Sequence, residues 1–147
     1  MLEIYRATSN HLEEVAHIFN QYRQWYHQSS DLNGALAFIR ERLERKDSVI
    51  FVAVQENQLL GFVQLYPSYS SISMKRTWIL NDLYVIPEAR QEGVGQKLMN
   101  ASINLCRETN AKSLSLQTAP DNERAQKLYE KNGFTIDREF DPYILFF

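Results

Sequence analysis

Three residues with one spacing, Arg90-x-x-Gly93-x-Gly95, carry the clearest chemical signal in this chain of 147 residues. They follow a β-branched and aromatic run, Leu80 to Ile86, that Pro87 ends, and they open a stretch periodic in Val94, Leu98, Ser102 and Leu105. The order implied is strand, short loop, helix. Two glycines let the backbone turn closely enough for several N–H groups, those of Gln91, Val94 and Gln96 among them, to converge on one ligand. The first turn of the helix adds unbonded amides and the positive end of its dipole. Such a loop binds an anion, and Arg90 can grip a phosphate oxygen with a charge-assisted hydrogen bond.

A Gly-x-Gly turn also serves plain close packing. No Gly-Lys-Ser/Thr follows it and no third glycine completes a dinucleotide fingerprint, so the common nucleotide loops fit poorly. A second patterned segment, Asn122 to Phe134, strengthens the signal: Asn122 is placed to cap a helix, Ala125, Leu128 and Tyr129 form its inward stripe, and Gly133 suits its left-handed end. Trp25 and Tyr26 could line a pocket and hold a cation over their rings, or pack in the core. His11, His17 and His27 show no metal-like clustering, and no metal site is expected.

The elements that must position these residues read as follows. Leu2 to Arg6 alternates like a half-buried strand, and Asn10 with Glu13 suggests a capped helix whose stripe is Leu12, Val15, Ala16, Phe19 and Tyr22. Asp31 caps a second helix with Ala35, Phe38, Ile39 and Leu43 inward. Val49 to Gln55 and Leu59 to Tyr66 form a hairpin about Glu56-Asn57-Gln58, Pro67 closes the second strand, and a third runs from Thr77 to Ile86. After the central helix, Ser113 to Thr118 is a further strand, parallel to its predecessor across the crossover. Phe134 to Ile136 and Tyr143 to Phe147 are expected to finish the sheet, the last as a strand buried there or across a homodimer interface.

The length suits one domain, 1–147, able to bury a single core. A formal charge of −2 gives no basic field for nucleic acid. Cys106 is the only cysteine, which leaves neither a disulfide framework nor a cysteine metal site and fits a reducing interior. No run approaches the roughly 20 apolar residues of a membrane span, so no membrane partner is expected and the protein is read as cytoplasmic.

With both patterned segments in hand, the chain resembles the GNAT superfamily of acetyl-CoA-dependent N-acetyltransferases. Arg90-x-x-Gly93-x-Gly95 matches its pyrophosphate loop, Leu83-Tyr84-Val85 the strand beside the pantetheine arm, and Asn122 to Phe134 its second cofactor segment. Tyr22-Arg23-x-Trp25-Tyr26, Ser48 to Ala53 and Trp78-x-Leu80-Asn81-Asp82-Leu83 look further like a bacterial subgroup near the yeast histone and polyamine acetyltransferases. The resemblance implies an α+β (mixed α/β) acyl-CoA N-acyltransferase fold, with a largely antiparallel mixed sheet of about six to seven strands and about four helices. It implies acetyl-CoA as cofactor, an amine acceptor, and a homodimer.

The implied chemistry is attack of a primary amine on the thioester. A lysine-like amine has a pKa near 10.4, so presenting it neutral at pH 7 costs about 4.6 kcal/mol unless a base or a water chain removes the proton. Relatives often carry a glutamate at the positions of Ile79 or Asn81, which share a face in a regular strand. Neither is acidic here. Asp82 serves only if a bulge re-aims it, and a water held by Asn81 is the other candidate. A strand amide near Val85 is the candidate oxyanion donor. Tyr129 resembles the family's proton donor to the leaving thiolate, and Asn122 its contact to the cofactor arm. Two other classes compete: a non-catalytic acyl-CoA-binding or regulatory module, and a small phosphate-binding module unrelated to CoA.

Overall fold

A computed structural model describes residues 1–147 and contains five strands and four α-helices: β1 (Glu3–Arg6), α1 (Leu12–Trp25), α2 (Leu32–Arg45), β2 (Val49–Gln55), β3 (Gln58–Ser70), β4 (Lys75–Val85), α3 (Val94–Glu108), β5 (Leu114–Ser115) and α4 (Glu123–Lys131). The strands form one sheet in chain order, with β1 to β4 antiparallel and β5 parallel to β4. The chain divides into two compact units, Met1–Gln117 and Thr118–Phe147. No helix is long and apolar enough to cross a membrane.

In the first unit, adjacent residues of one strand locate the helices. The Phe62 ring meets Phe19 and Tyr22 of α1 edge-on, at 6.2 and 5.5 Å between centroids. A Cβ placed on Gly61 would instead meet Leu98 and Val94 of α3, at 3.2 and 3.3 Å. Successive side chains of a strand point to opposite faces, so α1 covers one face of the sheet and α3 the other. The same imagined Cβ would lie 2.8 Å from the Tyr84 carbonyl oxygen, so the absence of a side chain at 61 lets α3 start close against the strands. The buried stripe of α3, Val94, Leu98, Ser102 and Leu105 with Met99, is the one its periodicity predicts.

The β2–β3 hairpin turns on Glu56 and Asn57, both at positive φ (52° and 64°), the primed geometry that matches strand twist in a two-residue loop. Asp31 caps α2 as its sequence position predicts, its Oδ1 accepting from Gly34 N at 2.9 Å. The start of α1 differs from the Asn10/Glu13 reading. Thr8 and His11 form the reciprocal box around a short 3₁₀ turn, Ser9–His11, and the His11 ring does the work assigned to Glu13.

Pro67 does not end β3. It pairs with Trp78 inside the strand, beyond the last β2 pair, Val49↔Leu65, where β3 has no second neighbour with which to lose a bond. The sheet has five strands rather than six or seven. β5 is two residues long, and neither Phe134 to Ile136 nor Tyr143 to Phe147 pairs with a strand. Tyr143 to Phe147 forms no strand, so the expectation of a C-terminal strand in the sheet is corrected. Apolar composition marks a segment that gains by pairing, but β-propensity carries no information about which edge is offered to it.

Candidate active site

The loop between β4 and α3 is built by backbone geometry. Pro87–Ala89 make one 3₁₀ turn, Arg90 is extended, Gln91 adopts φ +68°, and Gly93 adopts φ +83° as the residue from which α3 springs. Gly93 is the left-handed position that requires a glycine, and space for a close ligand exists there, since a Cβ would meet nothing within 4 Å. No side chain caps the N-terminus of α3, and its first turn contains no acidic residue. A curled loop leading into an uncapped helix start is an anion-binding geometry, and the chemistry of the donor set suits a pyrophosphate.

On the β4 edge away from β3, β5 pairs only with Trp78 and Ile79. From Leu80 to Val85, which includes Leu83, Tyr84 and Val85, no strand continues that edge. An extended ligand arm could add there as a strand would. The Val85 carbonyl already accepts from Arg90 Nε at 3.0 Å. The Arg90 guanidinium lies 4.2 Å from the Trp25 ring centroid and 5.7 Å from that of Tyr84. Burial pushes the Tyr84 phenol up, with Arg90 opposing.

β4 carries a bulge where a base would be wanted. The register passes from Gln64↔Asp82 to Leu65↔Leu80, so Asn81 is the extra residue. Without it Asp82 would face away from Ile79; with it both stand on the face of Gln64, Tyr66 and Tyr84. Asp82 is only 6% exposed and accepts from Gln64 Nε2 at 2.9 Å and Asn81 Nδ2 at 3.1 Å, while Ser48 Oγ donates to Gln64 Oε1 at 2.9 Å. Arg42 is engaged elsewhere, by Asp47 at 2.7 Å, and no cation pairs with Asp82. Burial first, then the Asp82 charge, push the nearby Tyr66 phenol up to about 12. The Asp82 carboxyl is thus buried with only neutral amides as its partners.

The second unit contains α4. Asn122 Oδ1 caps it, accepting from Ala125 N at 3.2 Å, and Gly133 ends it at φ +93°. Tyr129 is half-buried, with its ring 5.9 Å from that of Phe134. Asn122 and Tyr129 therefore share one short helix, and the loop residues Arg90, Gln91, Gly93, Val94, Gly95 and Gln96 share one turn with the end of β4. Trp25 joins that group through Arg90, and Tyr26 packs edge-on against Tyr22 at 5.1 Å. Gln64, Ser48 and Tyr66 are missed by sequence reasoning. The available signal is Gln64 itself, a polar side chain in the otherwise apolar run Leu59 to Leu65. No group of residues is arranged to hold a metal ion.

The pattern of the acetyltransferase (GNAT) family matches residues 12–134. An uncharacterized N-acetyltransferase, YhfO, of Bacillus subtilis (strain 168) is 46% identical over 144 residues, covering 98% of this chain and 97% of that protein. A probable acetyltransferase of Haemophilus influenzae is 28% identical, with 92% of each chain covered. Among solved structures, a crystal structure of a probable acetyltransferase superposes with a TM-score of 0.95 at 45% identity, covering 99% of this chain and 97% of the other. An aminoglycoside N-acetyltransferase in complex with CoA shares the fold, with a TM-score of 0.82 at 21% identity and coverage of 99% and 95%. This chain belongs to the GNAT family and is an acetyltransferase.

Proposed function

We propose that this acetyltransferase moves acetyl from acetyl-CoA to a primary amine by direct attack. The observation that carries the reading is the uncapped start of α3, entered through left-handed Gly93, standing beside a β4 edge with no partner strand from Leu80 to Val85. One part suits a pyrophosphate and the other an amide-bearing arm. In this reading the amides from Gln91 to Gln96 and the Arg90 side chain hold the phosphates. The backbone of Leu83, Tyr84 and Val85 aligns the arm, and Asn122 adds a contact to it.

Asp82, re-aimed by the bulge, draws the acceptor's ammonium and takes its proton directly or through a water held by Asn81. Tyr129 returns a proton to the departing thiolate. Tyr26, with Trp25, borders the acceptor. The acceptor is a polyamine, another small amine or a protein lysine. A screen of these classes with acetyl-CoA, reading free thiol, is expected to show turnover with at least one. Release no faster than the enzyme-free background with all of them would defeat the reading.

The exposed run from Tyr143 to Phe147 supports a homodimer, because five consecutive large apolar residues left in water favour self-association. Sedimentation at tens of micromolar, on the scale of weak dimers, should then give twice the chain mass. The single cysteine, Cys106, fits residence in a reducing cytoplasm.

A further inference from the structure

The contact between Arg90 and Trp25 does more than fill space. Arg90 is the one side chain of the loop whose charge can meet a phosphate, and an arginine on a loop ordinarily samples many rotamers. Here three groups fix it. Val85 O accepts from Nε, and the guanidinium carbon lies over the Trp25 ring at 4.2 Å and over the Tyr84 ring at 5.7 Å from their centroids. Of its nitrogens, those contacts use only Nε as a donor. Its two Nη groups donate to nothing else in the chain, which leaves a paired fork of the kind that meets phosphate oxygens.

Trp25 is carried by a packed stretch of α1. It ends α1, one turn beyond Tyr22, and the Tyr22 ring packs edge-on against Phe62 at 5.5 Å and Tyr84 at 5.9 Å. The indole is nonetheless 55% exposed, which is costly for the largest apolar side chain unless one face is in use. Arg90 uses it.

We propose that Trp25 is a positioning residue for the phosphate-binding arginine, stacking the Arg90 guanidinium so that its Nη fork is set before the cofactor arrives. The inference rests on the acetyl-CoA reading above. It gives Trp25 a task on the phosphate side of the site in addition to the acceptor side. Order imposed on Arg90 during folding need not be imposed during binding, and the difference is read as affinity.

The test is a double-mutant cycle on CoA affinity by calorimetry, using Trp25→Ala and Arg90→Met singly and together, with Trp25→Phe as the conservative variant. Trp25→Ala is expected to weaken CoA roughly three- to fivefold, the scale of a partly exposed cation–π contact. Trp25→Phe, which keeps an aromatic face, should recover most of that loss. In the Arg90→Met background, Trp25→Ala should change CoA affinity no further. Equal losses in both backgrounds would make Trp25 a packing residue and overturn the proposal, as would no loss at all. Tighter binding by Trp25→Ala would show that the stack restrains Arg90 away from phosphate, which also overturns it. A wild-type protein that binds no CoA fails differently: it removes the acetyl-CoA reading and this inference with it, whereas binding by the wild type with an additive cycle removes this inference alone.

Discussion

Gly95→Glu is expected to fold as the parent does and to lose CoA binding. Position 95 is the second residue of α3, where the backbone is helical and half-buried. A glutamate there gains helix propensity over glycine and places a negative charge at the positive end of the helix, two effects each worth about 0.3–1 kcal/mol in favour of folding. In the proposed reading the same carboxylate would stand where the pyrophosphate approaches the amides. At about 4 Å and an effective dielectric near 20, repulsion of one unit charge costs about 4 kcal/mol, roughly a thousandfold in Kd. Stability and binding therefore move in opposite directions. Calorimetry with CoA beside a thermal melt reads both, and undiminished affinity in the folded variant would remove the phosphate-loop assignment.

The second large effect is expected at Tyr129. A tyrosine phenol, with reference pKa near 10 against about 8.5 for a cysteine-like thiol, is a weak but sufficient acid for a thiolate formed beside it. Tyr129→Phe keeps the ring and its edge-on contact with Phe134 while deleting the proton. General acid help is typically worth about 10²- to 10⁴-fold, so kcat should fall at least about tenfold with acetyl-CoA affinity nearly unchanged. A purely structural tyrosine gives the reverse pattern. Stability then drops by about 1 kcal/mol, the worth of one hydrogen bond, while turnover per folded molecule holds. That result would assign the proton to water or to the departing ammonium.

Much of the local structure in both units is legible in the sequence because its signals are periodic and local. The stripe of α3, the Asp31 cap, the Asn122 cap and the left-handed Gly133 each follow from residues within one or two turns, and the structure has all four. The direction of β5 follows from crossover topology, and it is parallel to β4. What escapes the sequence depends on partners. Pro67 marks a strand end only where a neighbouring strand needs its N–H, and β2 has already ended there. The segment from Tyr143 to Phe147 has the composition of a strand but no ladder to join. Arg90 and Trp25 are 65 residues apart by their numbers, and neither carries a mark of the other. At Asp82 the alternation rule states the condition for its use, a bulge, but gives no sign that Asn81 supplies one.

That extra residue has a consequence for how a carboxylate can be placed on β4. In a regular strand, positions that look into the same space are separated by an even number of residues, so an acid at 79 could be replaced only by one at 77, 81 or 83. The bulge at Asn81 shifts the reading frame, and 79 and 82 become equivalent addresses. A charge can then move three residues along the chain and still stand on one face of the sheet, with the intervening asparagine as the slack that permits it. Comparing strands by aligned columns would treat positions 79 and 82 as unrelated, whereas comparing them by the direction each side chain points groups Ile79 with Asp82.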